Sequence, residues 1–258
     1  MRIIDHPALS ARMFFPRGTA VADPFTVRAD GATLSCWRAA PHPDAATVLH
    51  FHGNGEVVAD YVPGFANLLL SLGVNVIFAE YRGYGGSTGR PSMSSVLEDA
   101  GAVLRAARLP PEQVIAFGRS LGSYAAIEVA ARYPLAGLII ESGIADPLER
   151  ILFRATPEEL EVSAAALTAD VQQHLDHERK LARHRAPLLV LHAVRDELVD
   201  ASHAVRLASW AGSEDRELVL LPRGGHNDVL AQNHGAYVRA LTAFFARVDA
   251  VRRLKAVG

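Results

Sequence analysis

Two short stretches place a serine between glycines in the spacing G-x-S-x-G: "GGSTG" at Gly85 to Gly89 and "GRSLG" at Gly118 to Gly122. That spacing suits a serine on a sharp strand-to-helix turn, its hydroxyl projecting where it can attack a carbonyl carbon. Only one serine can stand at such an apex. The turn needs a strand running straight in and a helix leaving at once, and Ser120 has both. "VIAF" enters, and "LGSYAAIEVAARY" leaves with the small residues of a tightly packed helix. Around Ser87 the strand stops by Glu80, glycine-rich loop intervenes, and Pro91 delays the next helix to near Ser94. Ser120 is the expected nucleophile, and Ser87 is expected to be a loop serine that satisfies backbone groups.

A serine hydroxyl is a weak nucleophile near neutral pH, so it needs a base in hydrogen-bond reach and a carboxylate to orient that base. His226, in "LLPRGGHND", follows the last apolar run through two glycines, which puts it on a loop at a strand's carboxyl end. Asp196, in "LLVLHAVRDELV", lies just past another strand, and Glu141 and Asp146 follow the strand before that as rival acids. The carboxyl ends of parallel strands share one sheet edge, so Ser120, Asp196 and His226 can meet there despite their separation. The negative oxygen formed on attack needs donors. The backbone N–H of Leu121 opens the helix after the turn, and that of Asn54, in "HFHGNGE", lies on a flexible loop after an earlier strand. His50 and His52 are expected to be strand-end residues bonded to backbone.

The elements that must position these groups are legible as apolar, β-branched runs: "TVLHF" from Thr47, "VNVIFAE" from Val74, "QVIAF" from Gln113, "LAGLIIE" from Leu135, "PLLVLHA" from Pro187 and "RELVLL" from Arg216. Helix-compatible segments separate them, which predicts β-α-β units in a mostly parallel sheet covered on both faces. Ahead of them "FTVRADGATLSCWRA" reads as two strands joined at Asp30-Gly31, an antiparallel hairpin. Between Glu141 and "PLLVLHA" the spacing widens. The segment from Ala145 to Arg185 has helical composition, with Thr156-Pro157-Glu158-Glu159 as a helix start, and is expected to form a short lid. Its Leu152, Phe153 and Leu160 are expected to line an acyl pocket. One domain over residues 1–258 is the expected organisation.

The 26 basic and 28 acidic residues give a net charge of −2 without runs of one sign, so nothing points to nucleic acid or anionic lipid as a partner. A small, weakly charged molecule is the expected ligand. Tyr61 to Ala79 carries no charge, but Pro63, Gly64 and Gly73 interrupt it, so a helix over 65–72 and a buried strand over 74–79 are expected instead of a membrane span. Cys36 is the lone cysteine, and the opening residues carry no apolar signal core, which favours a cytoplasmic setting. Asp170, His174 and His177 fall at helical spacing that suits a solvated face, and no metal is expected. No G-x-G-x-x-G or Walker A pattern argues for a nucleotide.

"FHGNGE", "YRGYGGSTG", "GRSLGS", "HAVRDELV" and "GGHND" stand in the order and approximate spacing of the α/β-hydrolase fold family. Together they most resemble its small abhydrolase-type branch, relatives of protein depalmitoylases and of bacterial esterases. The resemblance runs from about Phe14 to Phe245. It implies an α/β-hydrolase fold, a triad of Ser120, Asp196 and His226, an oxyanion hole from Asn54 and Leu121, no cofactor, and a carboxylic ester or thioester substrate. It favours Asp196 over Glu141 and Asp146, and it makes the "YRGYGGSTG" loop a structural segment beside the site. Ala193 stands where the family usually has glycine, and so does Ser123 after the elbow. The cysteine-rich amino terminus of the eukaryotic depalmitoylases is lacking. An amidase or aminopeptidase on the same triad, or a non-catalytic ligand cup, are the alternatives; serine at the elbow disfavours an aspartate nucleophile.

Overall fold

Each apolar run becomes a strand. In a computed structural model of the chain, which describes residues 2–257, the strands are β1 (Phe25–Ala29), β2 (Ala32–Ala39), β3 (Thr47–Phe51), β4 (Asn75–Ala79), β5 (Val114–Arg119), β6 (Gly137–Glu141), β7 (Leu188–Ala193) and β8 (Arg216–Leu221). Among the described residues they form one sheet in the order β1-β2-β4-β3-β5-β6-β7-β8. Ala29 pairs with Ala32 across the two-residue turn Asp30-Gly31, and β2 runs antiparallel to β4, so the first two strands are the antiparallel part. The remaining pairings, from β4 through β8, are parallel.

The helices are α1 (Pro7–Met13), α2 (Gly64–Ser71), α3 (Met93–Ala107), α4 (Gly122–Arg132), α5 (Pro147–Leu152), α6 (Ala164–Leu175), α7 (His177–Leu181), α8 (Ser202–Trp210), α9 (Val229–Gln232) and α10 (His234–Val257). Strand alternation divides the core in two. Leu49, Ala116, Ile140 and Val190 face α3, α4 and α8, whereas Val48, Phe117, Ile139 and Leu191 face α2 and α10. Tyr237, Leu241, Phe244 and Val248 of α10 recur at three- and four-residue steps and are all buried, so one stripe of this helix closes the second core. The uncharged stretch from Tyr61 to Ala79 supplies α2 and β4, and no described helix is long and apolar enough to cross a membrane.

The segment between β6 and β7 folds as α5, α6 and α7. Asp146 caps α5, Ser163 caps α6 and Asp176 caps α7, each side chain accepting a backbone N–H three residues on. Leu160, Leu167, Val171, Leu175 and Leu181 join the core on the α4 face. The helix break at Asp176 separates His177 from Asp170 and His174. Nδ1 of His177 bonds to the Ile144 carbonyl instead.

Candidate active site

Because β5 ends at the centre of the sheet, the residue after Arg119 leaves the plane at the sheet's carboxyl edge. Ser120 has φ of 50°, a left-handed backbone that a residue with a side chain adopts only under constraint. The constraint is visible: its N–H donates to the Glu141 carbonyl at 2.8 Å, and the Ser123 hydroxyl donates to its carbonyl at 2.7 Å. The flanking glycines make the turn fit, since a Cβ on Gly118 would lie 2.7 Å from that of Ala126, and one on Gly122 would strike the Phe51 carbonyl. Ser123, where the family more often has glycine, also accepts the Ile144 N–H and so ties the elbow to the end of β6.

Nε2 of His226 lies 2.8 Å from Ser120 Oγ, and its Nδ1 lies 2.7 Å from Asp196 Oδ2. With Nδ1–H donating to the carboxylate, the Nε2 lone pair faces the serine hydroxyl. Asp196 Oδ1 accepts the N–H groups of Leu198 and Val199, and His192 Nε2 stands 3.3 Å from Oδ2. Burial pushes the Asp196 carboxyl up, but hydrogen bonds from His192, His226 and Val199 outweigh it and hold the group well below the ordinary carboxylate range. The rival acids lie elsewhere. Glu141 binds Arg119 and the Tyr237 hydroxyl, and Asp146 caps α5 and faces Arg206.

Among the described residues the backbone amides of Asn54 and Leu121 donate to no protein acceptor. The Asn54 side chain is engaged at both ends: its amide donates to the Met13 carbonyl, and its oxygen accepts the Phe15 N–H and the Tyr84 hydroxyl. Tyr84 is thus the residue through which the "YRGYGGSTG" loop supports the site, while Ser87 only accepts the Ser35 N–H of β2. His50 packs among Tyr61, Phe65 and Phe117, where burial holds it neutral. In His52 both ring nitrogens face acceptors, the Gly53 carbonyl and Glu80 Oε1, each at 2.7 Å, an arrangement that a protonated ring satisfies by donating to both.

Burial pulls the His52 pKa down, but the hydrogen bond and charge of Glu80 outweigh it, and the net shift is upward. A histidine raised in the folded state contributes stability in full below its unfolded pKa of about 6.5, and loses it as pH rises through the folded value. Urea denaturation of wild type and His52→Gln across neutral to alkaline pH should therefore show the wild-type advantage shrinking as pH climbs. A constant gap would mean that His52 is neutral throughout.

Glu197 escaped the sequence reading. Its Oε2 accepts the His226 N–H at 3.2 Å and braces the base loop. Of the insert residues, Phe153 is 75% exposed and lines a cavity of about 560 Å³ with Ile144, Arg150, Arg154, Asp196 and Leu198. Leu152 is exposed away from that lining, and Leu160 is buried in the core at 1% exposure. Arg154 lies over the rings of both Phe15 and Phe153, bridging the Asn54 side of the site to the cavity.

The family model described as serine aminopeptidase, S33 matches residues 42–175, just over half of the chain. The chain belongs to this family of α/β hydrolases. The α/β hydrolase domain-containing protein aho-3 of Caenorhabditis elegans is 29% identical over 216 residues, 82% of this chain and 61% of that protein. Human α/β hydrolase domain-containing protein 17B is 28% identical over 222 residues, 84% of this chain and 72% of that protein. This α/β hydrolase thus spans about three fifths of the nematode relative's length. Among solved structures, Est1E from Butyrivibrio proteoclasticus with ferulic acid bound superposes with a TM-score of 0.72 at 19% identity, covering 88% of this chain and 99% of that one. The Pyrococcus furiosus esterase Pf2001 gives 0.70 at 16% identity, covering 90% and 98%. Both show that the α/β-hydrolase fold is shared.

Proposed function

We propose that this α/β hydrolase is a serine esterase or thioesterase that works through an acyl-enzyme. The observation that supports this most is the continuous hydrogen-bonded line Asp196–His226–Ser120, ending at a serine with a left-handed backbone. In the proposed course His226 Nε2 takes the hydroxyl proton as Ser120 Oγ bonds to the carbonyl carbon, and the Asn54 and Leu121 amides hold the oxygen that becomes negative. The proton then passes to the leaving alkoxide or thiolate. Water, deprotonated by the same nitrogen, releases the acid and restores the hydroxyl. These side chains and water suffice for the chemistry. Cys36 takes no part: it is buried, its thiol pushed up to about 12, and it fits a reducing, cytoplasmic setting.

The family description raises a second reading, an aminopeptidase, which needs a free carboxylate to hold a substrate amine. Near the site Glu197 is committed to the His226 N–H and Asp200 to the Ser202 N–H. Arg150 and Arg154 line the adjoining cavity together with Glu149, Glu197 and Asp200, so its lining is of mixed charge. Two of these three carboxylates are already committed to backbone N–H groups, which favours esters. Initial rates on p-nitrophenyl esters of graded chain length, set against p-nitroanilides of amino acids, test the choice. Ester turnover without anilide turnover is expected; the reverse would make the enzyme an aminopeptidase, and inertness to both would leave a ligand-binding protein.

We further propose that residues 145–185 act as a lid over one domain, 1–258, and that within the lid selectivity resides in Phe153. Phe153→Ala should shift kcat/KM between acetyl and octanoyl esters by about 10- to 200-fold, the size expected for apolar pocket contacts. Leu160→Ala should instead cost about 2–5 kcal/mol of stability with the chain-length profile retained, because it opens a hole in the core. A profile parallel to wild type for Phe153→Ala would remove it from the acyl pocket.

A further inference from the structure

We infer that Arg119 is a positioning residue: one guanidinium, placed behind the nucleophile, holds the Asn54 loop and the His226 loop in register on either side of Ser120. The inference rests on the serine-hydrolase reading above. Arg119 precedes Ser120 in the chain but, by strand alternation from Phe117, its side chain enters the other face of the sheet. There all three of its nitrogens are used. Nη1 binds Glu56, Nε stands 3.2 Å from Glu141 Oε1 at the end of β6, and Nη2 donates to the His226 carbonyl at 2.9 Å and to Asn227 Oδ1 at 3.3 Å.

The Glu56 end of this fork leads directly to the oxyanion loop. Glu56 Oε2 accepts the Gly53 N–H at 2.6 Å and the Tyr61 hydroxyl, and a Cβ on Gly53 would collide with Arg119 Nη1. The guanidinium is therefore packed against the residue whose carbonyl shares a peptide plane with the Asn54 N–H. His52 grips that carbonyl from the other side. The loops after β3 and β8 and the last residue of β6 thus converge on one planar group fixed to the elbow strand, and a shift of either loop breaks a hydrogen bond to it.

Stability is a poor reason for this cluster. A guanidinium at 10% side-chain exposure and the two carboxylates against it are costly to desolvate, and apolar replacements of such clusters are often neutral or stabilising. What an apolar side chain cannot do is set three directions at once. Nor can lysine, whose three donors sit on one atom at the end of a flexible stem. Displacement of a reacting group by about 1 Å can cost on the order of 10²-fold in rate, so a loop clamp is the more informative role.

A cavity of about 500 Å³, lined by Glu56, Tyr61, Phe65, Arg119, Glu141 and Tyr237, gives small cations access to this group and supplies the test. Arg119→Ala should lower kcat on p-nitrophenyl acetate, counted per fluorophosphonate-titrated serine, by about 10²-fold with KM little changed. The labelling rate should fall in parallel. Millimolar guanidinium chloride, far below denaturing levels, should restore activity, whereas ammonium chloride at equal ionic strength should not. Arg119→Lys keeps the buried charge, decides the matter if the alanine variant does not fold, and should be impaired without guanidinium rescue. Normal kcat per titrated site in either folded variant, whatever its melting temperature, would overturn the clamp. Wild type inert to both ester and label would overturn the serine-hydrolase reading and the clamp with it, which an active wild type separates from failure of the clamp alone.

Discussion

Replacing Ser120 by alanine should lower kcat by on the order of 10⁶ and abolish fluorophosphonate labelling, because among the described residues no other hydroxyl lies against His226 Nε2. The residual rate would come from the oxyanion donors and from binding alone. Folding should survive, since the left-handed backbone at this position is held by main-chain bonds to Glu141 and Ser123 and by the glycines that flank it. The matched control is Ser87→Ala. That serine satisfies one backbone N–H of β2, so its loss should leave activity within about tenfold. Peptide mapping after labelling separates the two serines directly: adduct on Ser87, or full turnover by Ser120→Ala, would refute the assignment.

Asp196→Asn should cost roughly 10⁴ in kcat while the fold is retained. The reason lies in how the carboxylate is used. Oδ1 accepts two amides, from Leu198 and Val199, and an asparagine must keep its oxygen there. Its NH₂ is then turned toward His226 Nδ1, which has to become an acceptor, and the ring proton moves to Nε2. In that tautomer the histidine donates to Ser120 and cannot take its proton. Glu141→Gln lacks this direct route and can act only through the Arg119 cluster; Asp146→Asn loosens a helix cap. Both should be far milder in kcat. Should Glu141→Gln prove the more damaging, the acid belongs to the end of β6.

The sheet was readable because a parallel strand buried on both faces must be apolar along its whole length, and "VIAF", "GLIIE" and "LLVLHA" leave no other economical reading. The elbow was readable because its constraint is local: a strand, a serine and two glycines within five residues. The charged groups that brace it were not. Arg119, Glu56 and Glu197 are ordinary charges in ordinary local sequence, and their significance comes from partners 63, 107 and 29 residues away in the chain. Burial of a charge announces such a role, and burial is a property of the fold. The insert was visible as a length anomaly between two strands. Which of its apolar residues face the core is decided by the caps at Ser163 and Asp176, which set the phase of α6 and α7.

The side chain of Asn54 carries a lesson about modularity. The family model begins to match at residue 42, yet the loop bearing the Asn54 amide is stitched by that side chain to Met13 and Phe15, a segment upstream of the sheet's first strand. The matched segment and the set of residues that hold the candidate site therefore have different borders. Grafting residues 42 onward into another scaffold would transplant the elbow intact but leave the Asn54 loop without its brace. Divergence in this amino-terminal segment offers evolution a way to retune the enzyme without touching any residue of its signature motifs.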